Sequence, residues 1–254
     1  MLTILDFKDF LVRCSLCALL CFSAPLAFSE ELIFTYWLEA LEPFAIRNGA
    51  KLEGGIVKDI GDELAARMEL KPKYIELPTK RVAIMVTEGD AHISCLTNPK
   101  WEGNPENYHW SPVLFKGSDN FLIKQDQANK LKSIADLHGK RIGVYRGYVY
   151  SEQITALFEQ GKAEPIYVGS LSTGIRLIEM GRLDTIIDFG SIIEYEIKKQ
   201  GLGERFVISS MDADTFDFHC SYSLKIPYDA QALDAHLLNM KKEGFFEQVY
   251  DKYR

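Results

Sequence analysis

The feature that most constrains this chain is a short unit that occurs twice: an apolar helix, a glycine and a buried strand. The second copy is TGIRLIEMGRLDTIIDFGSIIEY, from Thr173 to Tyr195. Ile175, Leu177, Ile178 and Met180 predict an amphipathic helix, and Gly181 suits the left-handed backbone that often closes one. Asp184 leads into Thr185, Ile186 and Ile187, a buried strand that stops at Asp188. Gly190 precedes a further helical stretch, Ser191 to Lys199. The first copy, Lys80 to Leu96, repeats this order around Gly89, with its strand from Ala91 to Leu96. Laying Gly89 on Gly181 places His92 on Asp184 and Leu96 on Asp188. His92 and Asp184 are expected to be structural, bonding neighbouring groups, with His92 no metal ligand. Two copies imply two similar lobes with the function between them. A carboxylate at the end of a buried parallel strand points into the crevice where open α/β sheets take ligands.

The rest of the chain fits that plan. Strand Leu32 to Trp37 runs into a loop holding Glu42, Pro43 and Phe44. Gly54 and Gly55 open a helix, Ile56 to Glu69, in which Ile56, Ile60, Leu64 and Met68 share one face. Lys73 to Leu77 alternates as a strand, and Pro78 starts the helix that carries Arg81. With the strand to Leu96 this is β-α-β-α-β, which implies a parallel sheet with right-handed crossovers. Val113 to Gln125 has no helical period and reads as a crossover between lobes. After a short helix capped by Ser133, a second β-α-β-α-β begins: strand Arg141 to Tyr145, helix Ser151 to Gln160, strand Pro165 to Val168, then the second copy itself. Phe218 to Leu224 reads as the return crossover, followed by helices Ala230 to Lys242 and Phe245 to Tyr253 packed back on the first lobe. The fold class is α/β.

Residues 1–29 differ from the remainder of the chain. Lys8 and Arg13 precede an apolar run from Cys14 to Phe28, and Ala27-Phe28-Ser29 offers a small-residue cleavage site. This is the pattern of a secretory signal peptide, and the run is shorter than the ~20 residues needed to span a bilayer. The protein is therefore expected to be exported, starting at Glu30. Of the five cysteines, Cys14, Cys17 and Cys21 fall in this leader. Cys95 and Cys220 remain, too few for a disulfide framework, and are expected as buried free thiols. The net charge of -7 argues against a nucleic-acid partner.

The chain resembles the periplasmic solute-binding proteins of the amino-acid type, family 3, which serve ABC transporters. The resemblance spans the mature chain and rests on segments in order. EPFAI and LEGGIVKDIGDELAARM match the first-lobe opening; ADL and GKRIGVYRGYVYSE match the second-lobe opening; GRLDTIIDFGSIIEY matches the strand ending in an acidic residue. The resemblance implies a place in the periplasm and the two-lobed type II fold, with lobe 1 at 30–117 plus 219–254 and lobe 2 at 118–218. It implies a ligand held between lobes, its carboxylate by an arginine and backbone N–H groups, its ammonium by an acid. Carried to matching positions, Gly147 and Tyr148 supply the anion turn and Asp188 the ammonium partner. Thr97 and Asn98 line the rim, while Tyr36 and Phe44 meet the apolar part.

The family's first-lobe arginine segment is replaced here by LTNPKWEGNPENYHWS, and no arginine occurs from Val82 to Lys140. Arg81, Arg146 and Lys100 are the candidate substitutes, the last without a bidentate fork. Arg81 has a structural alternative, pairing with Glu76 or Glu42. Trp101 and Trp110 are either ligand stackers or half-buried loop anchors.

Serine-hydrolase, zinc-protease, phosphate-loop and dinucleotide motifs are absent from the mature sequence, and the histidines lack metal spacing. The expectation is a monomeric binding protein without cofactor or metal, working with an ABC permease. Two alternatives stand beside it. One is a cyclohexadienyl-dehydratase-like enzyme of the same fold using Glu42, Glu102 or Asp188; the other is a ligand-sensing module.

Overall fold

A computed structural model describes residues 30–38 and 40–254. The expected leader, residues 1–29, lies outside the described residues. The chain begins with β1 (Glu31–Trp37), a small hairpin of β2 (Ile46–Asn48) and β3 (Lys51–Gly54), α1 (Ile56–Arg67), β4 (Lys71–Leu77), α2 (Thr79–Glu88), β5 (Ile93–Thr97) and β6 (Tyr108–Trp110). Then come β7 (Lys116–Lys124), β8 (Arg141–Val144), α3 (Glu152–Glu159), β9 (Glu164–Tyr167), α4 (Leu171–Glu179), β10 (Thr185–Phe189), α5 (Gly190–Gln200) and β11 (Phe206–Asp217). The chain closes with β12 (His219–Ser223), α6 (Ala230–Lys242) and α7 (Phe245–Tyr253).

Two five-stranded sheets result, in the orders β4-β1-β5-β12-β6 and β11-β7-β10-β8-β9. Reading the second backwards makes them equivalent: β9 for β4, β8 for β1, β10 for β5, β7 for β12 and β11 for β6. In each, three strands are parallel and two antiparallel strands complete the sheet. The repeated unit is therefore real in three dimensions. Gly89 and Gly181, each with φ near the left-handed region, follow α2 and α4 just as the helix periodicity requires.

The expected face of α1 is buried at Ile56, Ile60 and Leu64, each at 1% exposure or less. Burying a side chain of this size contributes roughly 1.5–3 kcal/mol. Leu233, Leu237 and Met240 of α6 and Phe246 and Val249 of α7 are buried too, and both helices pack on α1. The last helix also touches α5 of the second sheet, and Arg254 pairs with Glu194 there.

One expectation is overturned. Cys95 and Cys220 are not free thiols but a disulfide, with Cα atoms 3.8 Å apart. The reason is register: β12 pairs antiparallel with β5, and Cys220 falls directly opposite Cys95. The segment read as a return crossover is thus a full member of the first sheet. Likewise β7, read as a crossover, is an interior strand of the second. The helix expected at Ser133 is a single 3-10 turn, Ile134–Leu137, closed by reciprocal bonds between Ser133 and Asp136.

Candidate ligand-binding crevice

The parallel strands β8 and β10 run the same way, and their C-terminal ends carry the chemistry of the second sheet. Asp188 lies in β10 at 2% exposure. Its Oδ2 accepts from the Tyr145 hydroxyl at 2.6 Å, and its Oδ1 accepts from the backbone N–H of Phe189 at 2.8 Å. One strand over, β7 sets Asn120 opposite Asp188 and Asp119 opposite Phe189. Asp119 is equally buried, and its Oδ1 accepts from the Tyr148 hydroxyl at 2.5 Å. No lysine or arginine forms an ion pair with either aspartate among the described residues.

Burial without a cation has an electrostatic consequence. Desolvation pushes the Asp188 carboxyl up to about 6, against the lowering effect of its two hydrogen bonds. Asp119 is pushed up to about 7, by desolvation first, with the bond from Tyr148 opposing and the charge of Asp188 adding to the rise. Burial beside these carboxylates raises Tyr145 and Tyr148 as well, so both stay protonated donors. The two hydroxyls supply the side-chain donors to these acids, beside the Phe189 N–H on Asp188.

Local structure fixes this arrangement tightly. The Asn120 side chain donates to Asp212 at 2.6 Å, and Ser118 donates back to Asn120 at 2.7 Å. A Cβ at position 190 would sit 2.3 Å from Asn120 Oδ1, so only glycine lets α5 begin directly after the acidic strand end.

Beside the acids, aromatic rings from the second sheet and from loops of the first pack on one another. Phe44, from the loop after β1, meets Phe189 edge-on at 5.2 Å. Trp101 packs on Phe216 at 4.9 Å, and Phe189 lies 5.5 Å from Phe216 and 5.6 Å from Tyr148. Offset and edge-on pairs at such distances are each worth about 0.5–1.5 kcal/mol beyond area burial.

No family profile and no curated protein sequence matches this chain. Solved structures do. The GluR0 ligand-binding core in complex with L-glutamate superposes with a TM-score of 0.70 at 14% identity, covering 90% of this chain and 99% of that one. The amino acid ABC transporter substrate-binding protein AbpA from Streptococcus pneumoniae Canada MDR_19A, bound to L-arginine, gives 0.68 at 13% identity, covering 88% and 94%. The ancestral amino-acid-binding protein AncCDT-1, described as a precursor of cyclohexadienyl dehydratase, gives 0.67 at 17% identity, covering 88% and 94%. The chain has the two-lobed fold of the periplasmic binding proteins.

In this two-lobed fold the expected site residues separate into groups. Phe44 and Tyr148 meet at the ring of Phe189, next to Asp188, with Gly147 in the exposed turn that follows β8. That turn ends before α3, whose N-cap is Ser151, so Gly147 and Tyr148 lie ahead of the helix rather than in its first turn. Arg146 is exposed and stacks over Tyr167 at 4.5 Å. Thr97 ends β5 at 8% exposure. Asn98 is a bracket: its amide donates to the Asp217 carbonyl at 2.7 Å while its Oδ1 accepts from Lys100 N–H at 2.8 Å. Tyr36 is buried in β1 beneath the Arg47 guanidinium, 5.3 Å from its ring centre.

Arg81 lies exposed in the first turn of α2, and neither suggested partner reaches it. Glu76 pairs with Arg47 and Glu42 with Lys199. Arg47 also donates to the carbonyls of Ala40 and Trp37, which ties down the loop bearing Phe44. Trp110 proves to be a loop anchor, donating to the Pro105 carbonyl at 2.8 Å. The residue that sequence reasoning missed is Asp119. Its signal was present: a charged residue and an amide, Asp119-Asn120, opening the apolar run Phe121 to Ile123.

Proposed function

We propose that this protein captures a small solute bearing a cationic nitrogen, an amino acid or a close relative, between its two lobes. The observation that carries this reading is the pair Asp119 and Asp188, both 2% exposed, one step apart on adjacent strands β7 and β10, and without an ion-paired lysine or arginine among the described residues. Buried carboxylates are costly unless paired, and an ammonium supplied by the ligand removes that cost at the moment of binding. Asp188 receives the ammonium, with Asp119 deepening the negative field. The backbone around Gly147 and Tyr148, with Arg81 or Arg146, receives a carboxylate where the ligand has one. Phe44 and the neighbouring rings cover its apolar part, and Thr97 and Asn98 form the rim. Because Phe44 and Phe189 touch across the crevice, the lobes must part for the ligand to enter.

We infer further that it works outside the cytoplasm as a monomer presenting its solute to an ABC permease; the likeness to an ABC transporter substrate-binding protein supports the transport part of this reading. Native mass spectrometry of protein purified from its own cells tests the reading. A co-purified nitrogen-bearing compound that dissociates from Asp188→Asn supports it, and retention of only neutral or anionic compounds contradicts it.

A second reading has one observation in its favour. A carboxyl held near 7, as burial holds Asp119, trades protons at working pH. That would suit a dehydratase in this crevice, with Asp188 beside it. Of the other acids suggested for this role, Glu42 is tied to Lys199, while Glu102 is raised by burial. Turnover of prephenate or arogenate by the purified chain decides for the enzyme.

A further inference from the structure

At the end of the second sheet opposite the crevice, a cavity of about 280 Å³ opens between the last residues of β7, the start of β8 and the end of α4. Its floor is apolar. Leu131, Leu137 and Leu183 line it, and each is 5% exposed or less. Lys124, Lys130 and Lys140 stand around that floor. A further cation, Arg141, is matched by Asp184, with Nε 3.1 Å from Oδ2. The three lysines make no side-chain hydrogen bond or ion pair among the described residues. The cavity thus carries a net positive lining in a chain of net charge -7, and concave sites of one sign focus the field on ligands of the other.

We propose that this cavity is a second binding site, for a small amphipathic anion: a carboxylate or phosphate ester carrying a short apolar group. The charged head lies among the three lysines and the apolar group lies on the leucines. Both halves are needed. Exposed lysine–anion contacts are individually weak and screened by salt, and the apolar floor adds the contribution that makes binding saturable. The volume sits at the lower end of ligand pockets, which begin at roughly 300 Å³, so the ligand is small. The site shares no residue with the crevice, although β10 runs from Thr185 at the cavity to Asp188 at the crevice.

The test is an amide NMR titration of the full chain with hexanoate, inorganic phosphate and hexylammonium. Hexanoate should saturate and shift the amides of Leu131, Leu137 and Gly181. Phosphate should bind at least tenfold more weakly there, and hexylammonium should not bind there at all. Lys130→Glu/Lys140→Glu, at two exposed positions, should weaken hexanoate at least tenfold; Lys130→Gln/Lys140→Gln serves the same purpose should the reversal disturb folding. Unchanged hexanoate affinity in the folded double variant would overturn the proposal. So would shifts confined to other regions, phosphate as tight as hexanoate, or equal binding of hexylammonium.

Discussion

In the first sheet, strand β5 carries Cys95 opposite Cys220 of β12, and the two are joined. In the second sheet the matching position of β10 is Ile187, opposite Phe121 of β7, and the two only pack. One residue further on the contrast reverses. The first copy has Leu96, buried and apolar with φ 62, where the second has Asp188, buried and charged. At the start of the same strands the copies agree. His92 Nδ1 accepts from Ile33 N–H at 3.1 Å, and Asp184 Oδ2 accepts from Arg141 N–H at 2.8 Å. Two different side chains thus do one job, holding the adjacent parallel strand in register. The repeat constrains the frame at its beginning and leaves its end free to specialise. The first copy became a covalently held scaffold, and the second the holder of the acids.

The largest effect should come from the staple. Reducing Cys95–Cys220, which closes a loop of 125 residues, should lower unfolding free energy by roughly 2–5 kcal/mol. Denaturant titrations with and without reductant measure this. An unchanged midpoint would mean that the first sheet needs the bond no more than the second does. The matching change in the second copy, Ile187→Val, should cost only ~0.5–1.5 kcal/mol.

The acids should act in the opposite sense. With folded values near 6 and 7 against an ordinary 3.8, Asp188 and Asp119 keep protons in the folded chain that the unfolded chain has released. Stability should therefore be greatest at low pH in this respect and fall as pH rises from about 4 to about 7. Asp188→Asn should flatten that slope and raise stability at pH 7.5 by a few kcal/mol, each pKa unit being worth about 1.4. Thermal melts across this range check it, and a slope equally steep in Asp188→Asn would remove Asp188 as its source.

Loss of the shared register bond should cost less than loss of the staple. Asp184→Ala and His92→Ala each leave one strand N–H without its acceptor, which should cost about 1–3 kcal/mol if water cannot reach it. His92 is the drier of the two, at 8% exposure, and burial holds its pKa below 6.5, consistent with a neutral acceptor ring. Hence His92→Ala should be the worse of the pair, as equilibrium unfolding would register.

The same contrast explains which features were readable in the sequence. Local signals sufficed for the helix–glycine–strand units and for α6 and α7, whose expected limits match the structure. Ile56, Ile60 and Leu64 announced the buried face of α1 by spacing alone. Antiparallel partners were harder, because their pairing depends on residues far along the chain. In β11 the apolar period is broken by register shifts between Ile208 and Asp214, so no alternation marks it. β12 looked like a connector because it is only five residues long. The same blindness hid the disulfide and Asp119, since both owe their role to the strand lying opposite. Asp188 was legible because a single feature, an acid ending a buried strand, is local.

If the acids of the second copy hold a ligand's cationic nitrogen, removing the charge of Asp188 must weaken binding. Calorimetric titration of the chain and of Asp188→Asn with a panel of L-arginine, L-glutamate and putrescine tests this. Removing one partner of a desolvated charge pair typically costs ~2–5 kcal/mol, so any panel member that binds should lose well over tenfold in affinity in Asp188→Asn. Unchanged affinity in that variant would contradict the assignment of Asp188 as the ammonium partner.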